Sequence, residues 1–352
     1  MISLVINEIP TLFIQAFSRE DVECILEFVR DANANSTTFK STVLFIDTPA
    51  SEYLVEAIKH LKTEDFKVVF RDHHGVRGNP DNVRDEKKQK AAEKLMEVLK
   101  DDCLVTYRDV HPACSTLVEV GEFKNALAII ADPDADGLTS AMKAAGVFYE
   151  GMDEDAALLD SEPKLQVTGT EISQLLAKGI ATLPSYDPEN PNQRERTLEE
   201  LFANWVKAVS GDKNAREILE SGVKNYELAV DCATLLAAKA KEVAPGVVLV
   251  DVTDSPVFDV GTISRLVEEN PRSKILVLKK DKGPIAARHS VQYSLSVNAP
   301  FKEEIDLRKY VPPQTVNDPA SGVISNVSFL LHVSEEIWKD YVLPRLVSSM
   351  VQ

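Results

Sequence analysis

The first 150 residues alternate short apolar runs with amphipathic segments, and this alternation constrains the fold more than any other feature of the sequence. Strands are predicted at residues 11–17, 43–49, 68–74, 103–107 and 126–132. Helical periodicity lies between and after them, at residues 21–32, 51–62, 85–100, 115–123 and 138–151. Alternating strands and helices with Val/Ile/Leu-rich strands predict a mostly parallel sheet covered on both faces.

The rest of the chain shows two further patterns. Residues 166–243 are helical by periodicity, interrupted by a polar, Pro- and Asn-rich loop, and they predict a helical connector. Residues 244–352 mix strand and helix patterns and predict a smaller mixed α/β domain. We therefore predict an α/β protein with an N-terminal domain at 1–165, the connector, and a C-terminal domain, which suits a length of 352 residues.

Composition narrows the classes of function and location. The net charge of −17 argues against a long basic track for duplex DNA, but it allows a short anionic substrate at a site where metal ions supply positive charge. Four scattered cysteines without a CxxC pair predict a reduced, intracellular protein. The N-terminus lacks signal-peptide features and no apolar run approaches 18 residues, so we expect a cytoplasmic protein without a membrane span.

Acids and histidines follow several of the predicted strands. They are Asp21, Asp47, Asp72, His73, His74, Asp132, Asp134 and Asp136. The carboxyl ends of parallel strands meet at one edge of a sheet, where ligands gather. Carboxylates pooled there repel one another unless they are protonated or paired with cations. Carboxylate together with imidazole suits Mn²⁺ or Mg²⁺, or Fe or Co, and a pair of such ions can clamp a phosphoryl group.

Simpler interpretations compete with a metal site. A single aspartate at a strand end is more often a helix cap. The run DPDADG also resembles the start of a calcium loop, but Lys143 falls where the loop needs glutamate, and the run follows a strand. Cys114, near His111, is interpreted as a core residue, and the basic run KKQK at 87–90 as a solvated helix face.

Four segments together resemble the DHH phosphoesterase superfamily, which includes RecJ-type exonucleases, nanoRNases, cyclic-dinucleotide phosphodiesterases and manganese pyrophosphatases. These segments are VLFIDTP at 43–49, RDHHG at 71–75, HPACSTLVEVGE at 111–122 and ADPDADGLTSAM at 131–142. The resemblance implies a DHH-type N-terminal domain, a helical connector and a DHH-associated C-terminal domain that binds substrate.

The resemblance also implies roles for individual residues. Asp47 would bridge two Mn²⁺ or Mg²⁺ ions, and His73 with Asp132, Asp134 or Asp136 would complete their ligands. Asp72 would hold a histidine by hydrogen bonding, and His74 would face the phosphate of the substrate. Substrate contacts are expected from Arg71, Ser115, Thr116, Arg288, His289 and Asp318.

Two departures from the family pattern leave alternatives open. The D-x-D segment follows the DHH motif here, whereas in the family it precedes it. Either the sheet is permuted and Asp134 and Asp136 replace the first motif, or Asp132 is the last family aspartate and the first motif retains only Asp21. In the C-terminal domain the glycine-rich phosphate loop is reduced to NDPASG at 317–322, with Asp318 where the family has histidine.

The prediction for function is a Mn²⁺-dependent phosphodiesterase that cleaves a short single-stranded oligoribonucleotide or a cyclic dinucleotide. One alternative is a single-strand exonuclease of RecJ type. Another is a relative that has lost catalysis and serves as a binding or assembly subunit. The oligomeric state stays open, with a homodimer as one option.

Overall fold

A computed structural model describes residues 1–16, 18–37, 40–75, 83–161, 169–184, 190, 192–255, 257–285, 288–313 and 328–350, with backbone only at 83–85, 161, 281–285, 288–290 and 350. The chain forms two compact units. The first comprises Met1–Ile180 with Leu198–Ser221, and the second comprises Ala181–Thr197 with Gly222–Gln352. The predicted mixed α/β class is confirmed.

The first unit contains a six-stranded sheet. Its strands are β1 (Ile2–Ile6), β2 (Ile9–Phe13), β3 (Thr42–Ile46), β4 (Lys67–Asp72), β5 (Cys103–Val105) and β6 (Ala128–Ala131). They lie in the order β1-β2-β6-β3-β4-β5. All neighbours pair in parallel except β1, which pairs antiparallel with β2. The predicted mostly parallel sheet is therefore confirmed.

The N-terminal hairpin of β1 and β2 is absent from the sequence prediction. Its two-residue turn is Asn7-Glu8, with φ values of 46° and 67°. Both residues adopt the left-handed conformation that a tight hairpin turn requires, and Asn-Gly is the usual sequence for it. Glutamate replaces the glycine, so the strongest hairpin signal is missing.

Helices of the first unit cover both faces of the sheet. They are α1 (Arg19–Asn35), α2 (Glu52–Thr63), α3 (Val83–Leu99), α4 (Ala135–Ala145), α5 (Met152–Ser161), α6 (Glu171–Ala181) and α7 (Gln193–Val209). α1, α2 and α3 share one apolar core with Phe45 and Phe70. Alternate strand residues such as Leu44 and Ile129 are also fully buried, and α4 packs against β2, β3 and β6 outside that core. The chain therefore leaves β3 toward one face and β6 toward the other.

A helix predicted at 115–123 is wrong. Only a 3-10 turn forms there, at Cys114–Leu117. The chain then turns through Gly121, whose φ is 72°. The Gly121 N–H donates to the backbone oxygen of Lys143 in α4 instead of continuing a helix. This long-range partner overrides the helical periodicity of the segment.

The second unit contains a five-stranded sheet. Its strands are β7 (Lys241–Ala244), β8 (Val247–Asp251), β9 (Ile275–Ile285), β10 (Arg288–Val297) and β11 (Leu330–Ser334), in the order β11-β10-β9-β8-β7. Only β8 and β9 are parallel. Helix α8 (Lys213–Ala238) precedes this sheet, α9 (Val260–Glu268) follows β8, and helical turns run from Glu335 to Met350.

The core of the second unit includes the ring of Tyr293 stacked on Trp338, with centroids 4.9 Å apart. No helix within the described residues is long and apolar enough to cross a membrane.

Candidate active site

The register of the first sheet aligns three aspartates at its carboxyl edge. Ile46, the last residue of β3, pairs with Arg71 of β4 on one side and with Ala131 of β6 on the other. The next residue along each strand is Asp47, Asp72 or Asp132, so the three stand in one row. Because the connections after β3 and β6 diverge to opposite faces, this row lies at the position where open α/β sheets bind ligands.

His73 lies at the centre of the site. Its Nε2 atom is 3.3 Å from Asp47 Oδ1 and 3.3 Å from Asp136 Oδ2. Its Nδ1 atom is 2.8 Å from the backbone oxygen of His111. Because a carbonyl only accepts, Nδ1 carries the proton and the neutral ring turns an unprotonated Nε2 toward the two carboxylates. This is the orientation in which a histidine binds a metal ion.

Asp47 is held in a strained backbone conformation. Its φ is 58°, the left-handed region that non-glycine residues rarely adopt. Its N–H donates to the backbone oxygen of Arg71 at 2.9 Å, which anchors the turn to β4. The side chain is fully buried, and neither carboxylate oxygen has a hydrogen-bond partner among the described residues. An unpaired buried carboxylate is costly, so this oxygen pair is poised for a cation.

His74 lies toward the exposed side of the site. Its Nδ1 atom is 2.7 Å from Asp72 Oδ1, and its Nε2 atom is 2.6 Å from Arg108 Nη2. The guanidinium can only donate, so Nε2 accepts and Nδ1–H donates to Asp72. Arg108 also pairs with Asp160 Oδ1 at 2.9 Å, while its side chain stays 49% exposed. These contacts fix the ring of His74 and place a positive charge at the mouth of the site.

The segment after β6 supplies two more buried carboxylates. Asp136 Oδ2 accepts the backbone N–H of Cys114 at 2.8 Å, and Asp136 Oδ1 accepts the Ser140 hydroxyl at 3.2 Å. Asp132 Oδ2 accepts an amide hydrogen of Gln15 at 2.9 Å, while its Oδ1 has no partner among the described residues. Fixed hydrogen-bond donors therefore orient both carboxylates, and each carboxylate has an oxygen atom directed toward the cluster.

Burial and mutual repulsion shift the pKa values of these groups. Burial, followed by the charge of Asp136, raises the pKa of Asp47 well above its ordinary value. The pKa of Asp136 is likewise raised well above normal, first by burial and then by Asp134. Burial and the nearby Asp134 raise the pKa of Asp132 to about 8. Burial lowers the pKa of His73 to about 4, so its ring is neutral at pH 7. Without a cation the cluster therefore favours protonated acids.

Two aspartates that were predicted to bind metal serve as helix caps. Asp134 is the N-cap of α4, and its Oδ1 accepts the N–H of Gly137 at 2.8 Å. Asp21 forms a capping box with Ser18 at the start of α1. Asp132 and Asp136, which follow β6, lie at the site whether the motif order is permuted or preserved. The carboxylate of Asp21 instead forms part of the cap of α1.

The predicted substrate contacts lie farther apart than the predicted metal ligands. Arg71 donates to the backbone oxygens of Phe70 and Asp102. Ser115 is buried, and its hydroxyl has no partner among the described residues. Thr116 is exposed and lies 2.9 Å from His111 Nδ1. The side chains of Arg288 and His289, and the whole of Asp318, lie outside the described residues.

Sequence reasoning missed several partners of the predicted residues. Gln15, Arg108 and Asp160 were not singled out, and His111 was considered only beside Cys114. Arg108 and His111 both fall in the short connection after β5, next to the cluster. The position of this connection could have indicated these residues, because β5 pairs with β4, the strand that the two histidines follow.

The donor atoms suit divalent cations. Among the described residues, two sets of donors lie close enough together to hold an ion, namely Asp47 with His73 and His74, and His73 with Asp136 and Asp160. Buried side-chain atoms without hydrogen-bond partners among the described residues occur on Asp47, Asp72, His73, Asp132 and Asp160. Carboxylate oxygens are ligands that suit Mn²⁺ and Mg²⁺, and imidazole nitrogens are ligands that suit transition metals.

No protein-family model matches the chain, and no curated protein matches it. Among solved structures, the chain is similar to a DHH-domain member of the s1p family of ribosomal proteins, with 16% identity and a TM-score of 0.46, over 95% of this chain and 75% of that chain. It is also similar to a pGpG-specific phosphodiesterase, PggH from Vibrio cholerae, with 12% identity and a TM-score of 0.38, over 89% of this chain and 99% of that chain.

Proposed function

We propose that this chain is a DHH-type phosphoesterase, a metal-dependent phosphodiesterase that hydrolyses short single-stranded oligoribonucleotides or cyclic dinucleotides. The observation that carries the proposal is the position of His73 Nε2, 3.3 Å from a carboxylate oxygen of both Asp47 and Asp136. A neutral imidazole directed at two buried carboxylates has no evident structural purpose, because it leaves the Asp47 oxygens without partners.

Asp47, His73, Asp136 and Asp132 would hold the metal ions. When bound, Mn²⁺ or Mg²⁺ would supply Lewis-acid stabilisation of the phosphoryl group and lower the pKa of an attacking water. The ions would also neutralise the carboxylates, whose repulsion is otherwise relieved only by protonation.

His74, Asp72 and Arg108 would act on the substrate side. Asp72 orients the His74 ring through Nδ1, and Nε2 accepts a hydrogen bond from the half-exposed guanidinium of Arg108. A phosphoryl group entering there would meet Arg108, whose planar fork matches two phosphate oxygens. These fixed donors would stabilise negative charge that develops during cleavage.

A short substrate fits the charge of the chain. The net charge of −17 disfavours a long duplex, whose binding needs many lysine and arginine contacts. A short nucleotide needs few such contacts once metal ions and Arg108 neutralise its scissile phosphate.

The second candidate is a binding or assembly subunit without catalysis. Its support is that Asp21 and Asp134 are engaged as helix caps, which reduces the carboxylates free to hold two ions. In this case the Asp–His cluster would bind at most one ion and turn over no phosphodiester.

One experiment separates the two candidates. Purified protein is incubated with Mn²⁺ and, in separate reactions, with 5′-labelled RNA of two to five residues or with a cyclic dinucleotide. The enzyme proposal predicts metal-dependent cleavage of at least one substrate and its loss in Asp47→Asn. Tight Mn²⁺ binding without cleavage of any of these substrates would instead support the binding subunit.

A further inference from the structure

The face formed by helices α2 and α3 carries a groove of about 630 Å³ that the site above does not use. We define it as the lysine groove by its basic residues, which are Lys59, Lys87, Lys88, Lys90 and Lys94. This volume lies in the range of small-molecule sites. The sequence suggested that the run at 87–90 is only a solvated helix face, but the groove gives these side chains a shared concave surface.

Helical spacing explains why the lysines converge. Lys87, Lys90 and Lys94 lie at intervals of three and four residues, so they project from one face of α3. Lys59 projects from the facing side of α2. Tyr53, with the small or apolar Val55 and Ala91, forms part of the wall between the two rows. The groove therefore combines an apolar wall, suited to a base, with cationic sides, suited to phosphates.

The charge of the groove opposes that of the chain. Five lysines line it against two acids, Glu52 and Glu56, whereas the whole protein carries a net charge of −17. Lys90 is paired with Glu86 at 2.5 Å on the exposed face. Lys59, Lys87 and Lys94 form no ion pair with any described residue. A local cationic surface on a strongly acidic protein is the electrostatic complement of a phosphate backbone.

The groove begins beside the Asp–His cluster. Pro49, Ala50 and Ser51 line its near end, and they follow Asp47 directly in the chain. Consecutive Cα atoms are 3.8 Å apart, so the Cα of Pro49 lies within about 8 Å of that of Asp47. α2 and α3 each follow a parallel strand, β3 and β4, so the groove runs away from the carboxyl edge that carries the cluster.

We propose that the lysine groove binds the sugar-phosphate backbone of single-stranded nucleic acid beyond the scissile phosphate. The proposal rests on the proposed phosphodiesterase function and specifies its substrate class. An oligonucleotide long enough to enter the groove is bound more tightly than a dinucleotide, which ends at the Asp–His cluster. The preferred substrate is therefore a linear single strand of more than two residues, not a cyclic dinucleotide.

The test uses the full chain in EDTA, so that binding is measured without cleavage. Fluorescence anisotropy gives the affinity for labelled single-stranded RNA of two, five and ten residues across a range of salt concentrations. The test variant is the triple substitution Lys59→Gln, Lys87→Gln, Lys94→Gln. The matched control replaces Lys207, Lys213 and Lys224, which are exposed lysines of α7 and α8, with glutamine and changes the net charge equally.

The proposal predicts that wild-type affinity increases with length and that the test variant loses this increase. Affinity for the ten-residue RNA should fall roughly tenfold or more, and the slope of log affinity against log salt should decrease by about 2, because about 0.7 counterion is released per neutralised phosphate of a single strand. The control variant should retain both the affinity and the slope.

Three results would overturn the proposal. They are equal losses in the test and control variants, length dependence that persists in the test variant, and displacement of RNA by poly-glutamate of equal charge without any preference for RNA. The phosphodiesterase function fails separately, through absence of Mn²⁺-dependent cleavage by the wild-type protein. Length-dependent binding without cleavage would support the groove proposal and contradict only the phosphodiesterase function.

Discussion

At the scale of the residue, the site contains buried carboxylates that destabilise the folded protein when no cation is bound. Asp47 illustrates this cost, because it combines a left-handed backbone, complete burial and two oxygens without partners among the described residues. Each of these features is unfavourable for folding alone. Their concentration on one residue is typical of sites where a protein gives up stability for function.

Asp47→Asn should abolish Mn²⁺ binding while stabilising the metal-free protein. The amide keeps the shape of the carboxylate but carries no charge, so the cost of a buried charge and the repulsion by neighbouring acids, which together raise the pKa of Asp47, disappear. We expect the melting temperature of the metal-free variant at pH 8 to exceed that of the wild type by about 3 °C or more, which corresponds to roughly 1 kcal/mol. Calorimetric titration and thermal melts measure the two effects. A variant that binds Mn²⁺ as the wild type does would contradict this role of Asp47.

Asp72→Asn should weaken activity without unfolding the protein. Asp72 accepts the Nδ1–H of His74, and an asparagine amide can present its nitrogen there and turn the ring. Loss of such an orienting carboxylate commonly costs about 10- to 100-fold in activity or metal affinity. Steady-state kinetics together with circular dichroism would test this. Unchanged kinetics would show that the His74 ring, as oriented by Asp72, takes no part in catalysis.

Arg108→Ala should lower kcat/KM for a phosphodiester by about 100-fold and leave Mn²⁺ affinity unchanged, because the guanidinium contacts His74 and faces outward. Arg108→Lys should recover part of the loss, since it keeps the charge but not the planar fork. If the alanine variant instead loses Mn²⁺ binding, Arg108 supports the metal ligands and does not contact substrate.

At the scale of the element, the strand order explains why residues 89 positions apart meet. The segment from Asp47 to Asp136 spans three strands. Of the six strands of this sheet β6 is the last along the chain, yet it lies between β2 and β3. The apolar runs predicted the strands, and the rule for parallel sheets predicted that their carboxyl ends would gather. The insertion of β6 could not be predicted, because periodicity identifies a strand without naming its neighbours.

Helix capping gives two of the predicted metal ligands a structural role. Asp134 and Asp21 carry the residue type of metal ligands but lie where helices begin, and there their carboxylates satisfy backbone N–H groups. Sequence alone does not distinguish these uses, because both place an aspartate after a strand.

Substitutions at Asp134 separate capping from metal binding. Asp134→Ala should reduce the free energy of unfolding by about 1 kcal/mol, since the N–H of Gly137 loses its acceptor. Asp134→Ser supplies another good cap, so it should restore stability and retain Mn²⁺ affinity. Chemical denaturation and calorimetry provide the measurements. Tenfold weaker Mn²⁺ binding by the serine variant would indicate that Asp134 is itself a metal ligand.

At the scale of the whole molecule, most of the architecture followed from the sequence. The parallel sheet, the second smaller sheet and the convergence of Asp47 with His73 were expected from periodicity and motif resemblance. Arg108 and Gln15 were not, because their roles arise from contacts between loops that no short motif encodes. The lysine groove was missed for a similar reason, since its two rows lie on different helices.

The stability of the metal-free protein should decrease as pH rises from about 4 to about 8. Asp132 ionises near pH 4 in an unfolded chain, whereas burial raises its pKa to about 8 in the folded protein. Between these values the folded state binds more protons, so the free energy of unfolding falls with rising pH. Saturating Mn²⁺ should flatten or reverse this trend because the ions replace the protons. Melting curves at several pH values test it, and metal-free stability that rises with pH would contradict it.

The central claim is that Asp47, His73 and Asp136 form one cation site, and anomalous diffraction tests it most directly. Crystals grown with Mn²⁺ would be measured on both sides of the manganese absorption edge. The account predicts an anomalous peak within coordination distance of His73 Nε2 and a carboxylate oxygen of Asp47. Crystals saturated with Mn²⁺ that show no peak at these atoms, or a peak only elsewhere, would contradict it.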